Sequence, residues 1–351
     1  MFKELLSKAK ADITTVRSVI KTNENLRIII SSDRSTKILK SDERLKLIKE
    51  IKKDVPQITA WRIYDHCAAV TKLYAIYENF VEDLIRDWLI LLPQLCQNYE
   101  DLDERIKNTH KLGVGRLLID LNKNRYEHLT VEDVINGLFE GVNNKTNYEL
   151  VAEAFLFHEQ NLRKETLDKL LANAGILNSW KWIERHRSIK NFVEEVRGSQ
   201  NTAEGELNEL ISYRNEAAHG ALIDDFLRAN ALLEICDFIE SLCKSLNDLF
   251  MYHAINYKVR INKARRIGNI TEWFKNPKAG VARVSNARLY EKCNLYLINQ
   301  NLSWCQSATI NSIQVNNNFA TEVNADNEME VGLKFDVDAR EGLDLYLLNT
   351  D

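Results

Sequence analysis

From Met1 to Tyr257 the apolar residues return every three or four positions, and from Gly268 to Asp351 they tend to alternate with polar ones. A period near 3.6 places side chains on one face of a helix, whereas a period of 2 places them on one face of a strand. A chain carrying both in separate blocks is expected to be an α+β multidomain protein. The expected units are a large all-α bundle over residues 1–257, a basic linker at 258–267, and a small antiparallel β-barrel over 268–351. A length of 351 residues agrees with two units.

The helical block has a clear ladder at Leu73, Ile76, Tyr77, Phe80, Val81, Leu84 and Trp88, with Pro93 expected to end that helix. Helices are predicted near 3–21, 40–52, 59–92, 101–122, 131–139, 149–158, 164–173, 187–197, 205–218 and 224–257. Thr130 is the expected N-cap ahead of Val131-Glu132-Asp133. Breaks are expected at Asn143-Asn144-Lys145-Thr146-Asn147, at Gly198-Ser199-Gln200-Asn201-Thr202, and at Gly113-Val114-Gly115-Arg116. The last of these lacks the preceding strand and the Gly-Lys-Ser/Thr ending of a phosphate loop. Strands are predicted over 280–284, 295–298, 308–315, 331–337 and 343–347. Only 12 glycines and 3 prolines punctuate the chain, which disfavours an all-β or low-complexity protein.

Net charge is −4, and all of it falls on residues 268–351; the preceding residues balance. That excludes a strongly basic nucleic-acid coat protein but leaves room for a local basic groove. Arg185-His186-Arg187, with Lys181 and Lys190 beside Trp180 and Trp182, is one such run; it reads either as a track for an RNA backbone or as a solvated face over core tryptophans. The six cysteines form no CxxC pair, and six of the seven histidines (all but His219) are scattered without HxxxH or HExxH spacing, so neither a metal site nor a cofactor is expected. With no secretory leader and no stretch of about 20 apolar residues, a cytoplasmic protein without membrane contact is expected.

The chemistry-bearing stretch is Arg214-Asn215-Glu216-Ala217-Ala218-His219, following the apolar Leu207, Leu210 and Ile211. Asn215 and His219 are four apart, hence on one helix face, and the long Arg214 side chain can reach the same cleft. Gly220 is placed to cap the helix behind His219. Cleaving RNA without a metal needs a base for the ribose 2′-OH and a cation for the phosphorane that follows; histidine and arginine supply these near neutral pH. Asparagine can orient either group. Taken alone, the spacing also fits a helix-end histidine stacked on its neighbours beside a solvated arginine.

In its helical setting the string resembles the HEPN superfamily, whose pattern is Arg, a polar residue that is often Asn, and His at Arg-x4–6-His spacing. The resemblance covers roughly residues 1–257 and rests on the motif helix and on Tyr77-Glu78-Asn79-Phe80-Val81-Glu82. It is nearest to stand-alone bacterial HEPN proteins of toxin and phage-defence neighbourhoods. The resemblance implies an endoribonuclease with Arg214, Asn215 and His219 as catalytic residues, supported by Glu78 and Asn79. Its implied partners are an RNA substrate, a second copy completing a composite active site, and an antitoxin or regulatory protein. The products would be a 2′,3′-cyclic phosphate and a 5′-OH. Val331-Gly332-Leu333-Lys334-Phe335 and the Leu343–Tyr346 strand look like the closing hairpin of the second-domain β-barrel of translational GTPases, with Ile310-Asn311-Ser312-Ile313-Gln314 similar to an earlier strand there. Such a barrel is expected to bind RNA, the ribosome or a protein. The rival readings are a non-catalytic HEPN-like interaction module and, ranked lowest, a nucleotide-binding regulator.

Overall fold

The computed structural model describes residues 2–31, 50–143, 148–158, 160–219 and 223–349, with His219 described by its backbone only. The predicted helix over 40–52 falls largely outside these residues, as do Asn144–Asn147 and Gly220.

Three long helices build the first core: α1 (Lys3–Ser31), α2 (Ile58–Leu95) and α9 (Ala229–Arg260), each packed on the other two. α1 buries Ala9, Ile13, Val16 and Ile20, the three-four spacing of a single apolar stripe. Near its C-terminus Arg27 is buried against Asp65 of α2, and Asn23 donates to the same carboxylate at 2.7 Å. α2 buries the predicted ladder, with Trp88 wholly enclosed and its indole N–H donating to Ala174 O at 2.8 Å. Pro93 does not end α2. The helix runs two residues past it, and Cys96 N–H still reaches Leu92 O, because a proline one turn from a C-terminus forfeits little of the ladder.

Shorter helices close the bundle: α3 (Glu104–Asp120), α4 (Val131–Val142), α5 (Lys164–Asn173), α6 (Ser179–Arg185), α7 (Arg187–Asn191) and α8 (Ala203–His219). Thr130 caps α4 as predicted, in a reciprocal capping box with Asp133. Two expectations are corrected here. Gly113 and Gly115 lie inside α3 and do not break it. Residues 149–158 hold only a 3-10 turn, Ala152–Ala154, since Ala154, Phe155 and Leu156 are buried in succession and no one-sided helix could bury all three. The two corrections are linked, because a Cβ on Gly113 would stand 2.0 Å from Ala154 O, and the glycine lets that turn seat on α3. α6 was not foreseen; the predicted 187–197 helix is α7 followed by a π-turn, Phe192–Val196.

The rest is β: β1 (Ala264–Phe274), β2 (Ala279–Val284), β3 (Ala287–Tyr290), β4 (Asn294–Asn299), β5 (Trp304–Val315), β6 (Asn318–Ala320), β7 (Glu322–Ala325), β8 (Met329–Phe335) and β9 (Asp344–Leu348). Six of them close an antiparallel barrel in the order β1-β2-β8-β5-β4-β9, with β6 added to β5 and β3–β7 forming a separate ribbon. The interior is filled by residues such as Ile270, Leu295, Leu297, Ile310, Leu333 and Leu345. The segment 258–267 comprises the last turn of α9 and the start of β1. β1 alternates poorly because bulges shift its register between Arg266 and Gly268 and between Ile270 and Glu272.

The barrel turns one outer face to the bundle. Ile298 and Cys305 join the helical core, with Tyr296, Tyr346 and Leu348 packed around them, and β1 and β5 lie on α9. Arg187 of α7 lies 4.1 Å over the Trp304 ring and 3.4 Å from Asp338.

Candidate functional site

The motif helix α8 lies along α2 and buries Leu207, Leu210 and Ile211. This leaves Arg214 and Asn215 half-buried at the edge of the packed face. His219 ends the helix one turn beyond Asn215, and its side chain lies outside those described.

Asn215 Oδ1 accepts two hydrogen bonds, from Asn161 Nδ2 and from Arg214 Nη1, both at 3.1 Å. The Arg214 guanidinium lies 5.0 Å over the ring of Tyr74 on α2 and, among the described residues, has no carboxylate partner. It is thus fixed in place by a ring and an amide while keeping its charge unneutralised, as a group meant to meet an anion should be. Tyr74 OH donates to Glu78 at 2.9 Å and accepts from Leu162 N–H at 3.0 Å, while Tyr77 OH donates to Leu162 O at 3.0 Å. Burial pushes the Tyr74 phenol well up, so it stays a hydrogen-bonding neutral group. The segment after His158 is therefore stapled to α2. It is also tied to α8, by Arg163 to Asn208 at 2.5 Å and by Lys164 to Glu204 at 2.7 Å.

Of the sequence-predicted residues, the structure brings together Arg214, Asn215 and, through Tyr74, Glu78. Asn79 is exposed and makes no hydrogen bond to the motif among the described residues. Sequence reasoning missed Tyr74, Asn161, His66 and His158. Tyr74 precedes Glu78 by four residues on one helix, a spacing that could have shown it; Asn161 offers no local signal. His158 donates to Glu82 at 3.1 Å and to Gln160 O at 3.2 Å, and the Glu82 bond raises its pKa above the ordinary value. His66, fully buried, meets the Tyr213 ring edge-on at 5.2 Å. Its Nδ1 accepts Leu227 N–H at 3.2 Å, which places the proton of the neutral ring on Nε2, and that donor has no partner among the described residues. Burial lowers its pKa against the pull of Glu216 and Asp225.

A second histidine cluster is structural. His186 caps α7, pairing with Asp248 at 3.1 Å and Ser188 Oγ at 2.8 Å deep in the α7–α9 contact. Among the described residues no three His, Cys, Asp or Glu side chains gather as a metal site would require, and all six cysteines are free thiols. No helix of the described residues is long and apolar enough to cross a membrane.

Residues 37–252, more than half the chain, match the family described as RiboL-PSP-HEPN. The chain belongs to that family. The match contains α2 and the whole motif helix, while α1 and the barrel of this RiboL-PSP-HEPN protein lie outside the matched residues. No curated protein and no solved structure matches it. Within the family region α8 is itself acidic, with four glutamates against the single Arg214. Two of these are neutralised, Glu204 by Lys164 and Glu206 by Arg197.

Proposed function

We propose that the protein is a metal-independent endoribonuclease that cleaves RNA by 2′-OH attack, leaving a 2′,3′-cyclic phosphate and a 5′-OH. The observation that carries this reading is Arg214, oriented by Asn215 and Tyr74 and without a carboxylate partner among the described residues, five residues before His219 on the motif helix of a HEPN-family chain. His219 would take or return the proton, Arg214 would neutralise the phosphorane, and Asn215, held by Asn161, would fix their relation. Glu78 supports the arginine through Tyr74. Asn79, exposed beside Glu78 on α2, would support the site more weakly. Each chain contributes half of a cleft completed by a second copy, which suits a toxin or phage-defence effector controlled by an antitoxin or regulatory partner. The barrel, similar in sequence to the second-domain barrel of translational GTPases, would direct the activity toward its substrate.

His219→Ala or Arg214→Ala should lower the cleavage rate by about 10²–10⁴-fold while circular dichroism and oligomeric state stay as in the parent. Cleavage should persist in EDTA, and sequencing of the RNA ends should return 5′-OH termini. A strict metal requirement, or full activity in both variants, rejects the reading and favours a non-catalytic HEPN-like module.

A further inference from the structure

A cavity of 460 Å³ lies where the bundle meets the barrel, walled by α6, the C-terminal turns of α9 and the β4–β5 turn. Lys181 and Arg185 of α6 and Arg260 of α9 all line it. None of these three cations makes a salt bridge among the described residues, and no carboxylate is among the lining side chains. The carbonyls at the end of α9 are already taken, Tyr257 O by Ile261 N–H, Lys258 O by Lys263 N–H and Val259 O by Asn262 N–H, so the helix terminus offers the cavity little bare negative charge. Burial, with Arg260 adding to it, holds His253 on the same wall neutral, with its pKa down at about 4. All three are solvent-exposed, so water and salt screen their mutual repulsion, but their common sign favours an anion in the space between them.

The cavity is also ringed. Tyr252 and Tyr257 line it, half-buried. Tyr252 is backed by Trp182, at 5.1 Å between ring centroids and inclined by 32°; Arg260 lies over Tyr257 at 5.3 Å. Asn256, Gln300 and Asn301 add amides that can donate and accept in one plane. Unpaired cations suit phosphate, rings suit a base face, and amides suit a base edge. A space of 460 Å³ falls within the range of small-ligand pockets.

We propose that this junction cavity binds a nucleoside phosphate, either as a free mononucleotide or as one unit of an RNA strand. The site uses none of the residues of the Arg214 motif, and it supplies the positive charge that acidic α8 lacks.

The test is calorimetric titration of the full-length protein with AMP, GMP, CMP and UMP, with inorganic phosphate, and with a short 2′-O-methyl RNA whose backbone cannot undergo 2′-OH attack. At least one nucleotide or the RNA should bind more tightly than inorganic phosphate. Arg185→Glu and Arg260→Glu, checked for parental circular dichroism and melting, should each weaken that binding by about tenfold or more, while Lys190→Glu, at an exposed position of α7, leaves it unchanged. Mononucleotide binding identifies the free ligand; RNA binding alone identifies the strand. Absence of binding by every probe, or indifference to both reversals, overturns the proposal. Binding that survives in His219→Ala, or in a protein that cleaves no RNA, leaves it standing apart from the ribonuclease reading.

Discussion

His158 and Glu82 face each other one turn along α2 from Glu78, and each shifts the other's titration. His158 is raised from 6.5, first by the hydrogen bond to Glu82 with burial opposing; Glu82 is lowered from 4.5, first by the bond from His158. A raised histidine contributes its full stability below its unfolded value and loses it as pH rises through the folded value. A lowered carboxylate contributes above its unfolded value and loses it as pH falls through the folded one. The pair is therefore complete between about pH 4.5 and 6.5. Urea denaturation of His158→Gln and the parent should differ most inside that window and converge as the medium turns alkaline; a gap that stays constant with pH would rule the pair out as its source. The site residues differed in how far sequence reached them. Arg214, Asn215 and His219 stand close together in one string, so their spacing alone marks a face. Asn161 meets Asn215 across 54 positions, and His66 meets the Leu227 backbone across 161. Those pairings exist only once the loop after His158 has met α8 and the segment before α9 has met α2, and no periodicity encodes them.

Among the elements, α3 and the Ala152–Ala154 turn show how one missing side chain sets a packing distance. Gly113→Ala puts a methyl group into Ala154 O, and the turn must lift away. Overpacking of this kind costs about 1–3 kcal/mol, so the variant should melt several degrees lower, whereas Gly115→Ala, which meets nothing within 4 Å, should melt at or above the parent temperature. The same site explains a misreading, since Gly-Val-Gly looks like a breaker until its partner backbone is known. Long helices were readable because a stripe repeated over eight or ten turns outweighs any local exception. β1 was not, because Arg265 and Arg266 are both exposed and two bulges interrupt its alternation. The barrel as a class was nonetheless readable from its neighbours β2, β4, β5, β8 and β9.

At the scale of the molecule, the two periods in the sequence do not become two separate cores. Ile298 and Cys305, both on barrel strands, belong to the core of the bundle. The chain should accordingly unfold in one calorimetric transition, and Ile298→Asn, which buries an amide at the seam, should move that whole transition down; two resolved transitions, with only the later one shifted, would contradict a shared core. α9 makes the seam. Near its start, Ile235 shares a cavity with Tyr213 of the motif helix, and near its end Tyr257 lines the junction cavity. At about 1.5 Å per residue these two positions stand roughly 33 Å apart along one unbroken rod. The helix is thus a ruler. If RNA is cut at the motif helix and anchored in the junction cavity, as proposed above, a strand long enough to span the helix would be cut at a set distance from its anchored unit, giving fragments of preferred length. Strands too short to reach should be cut at a rate indifferent to Arg185→Glu, which a ladder of RNA lengths on a sequencing gel would reveal.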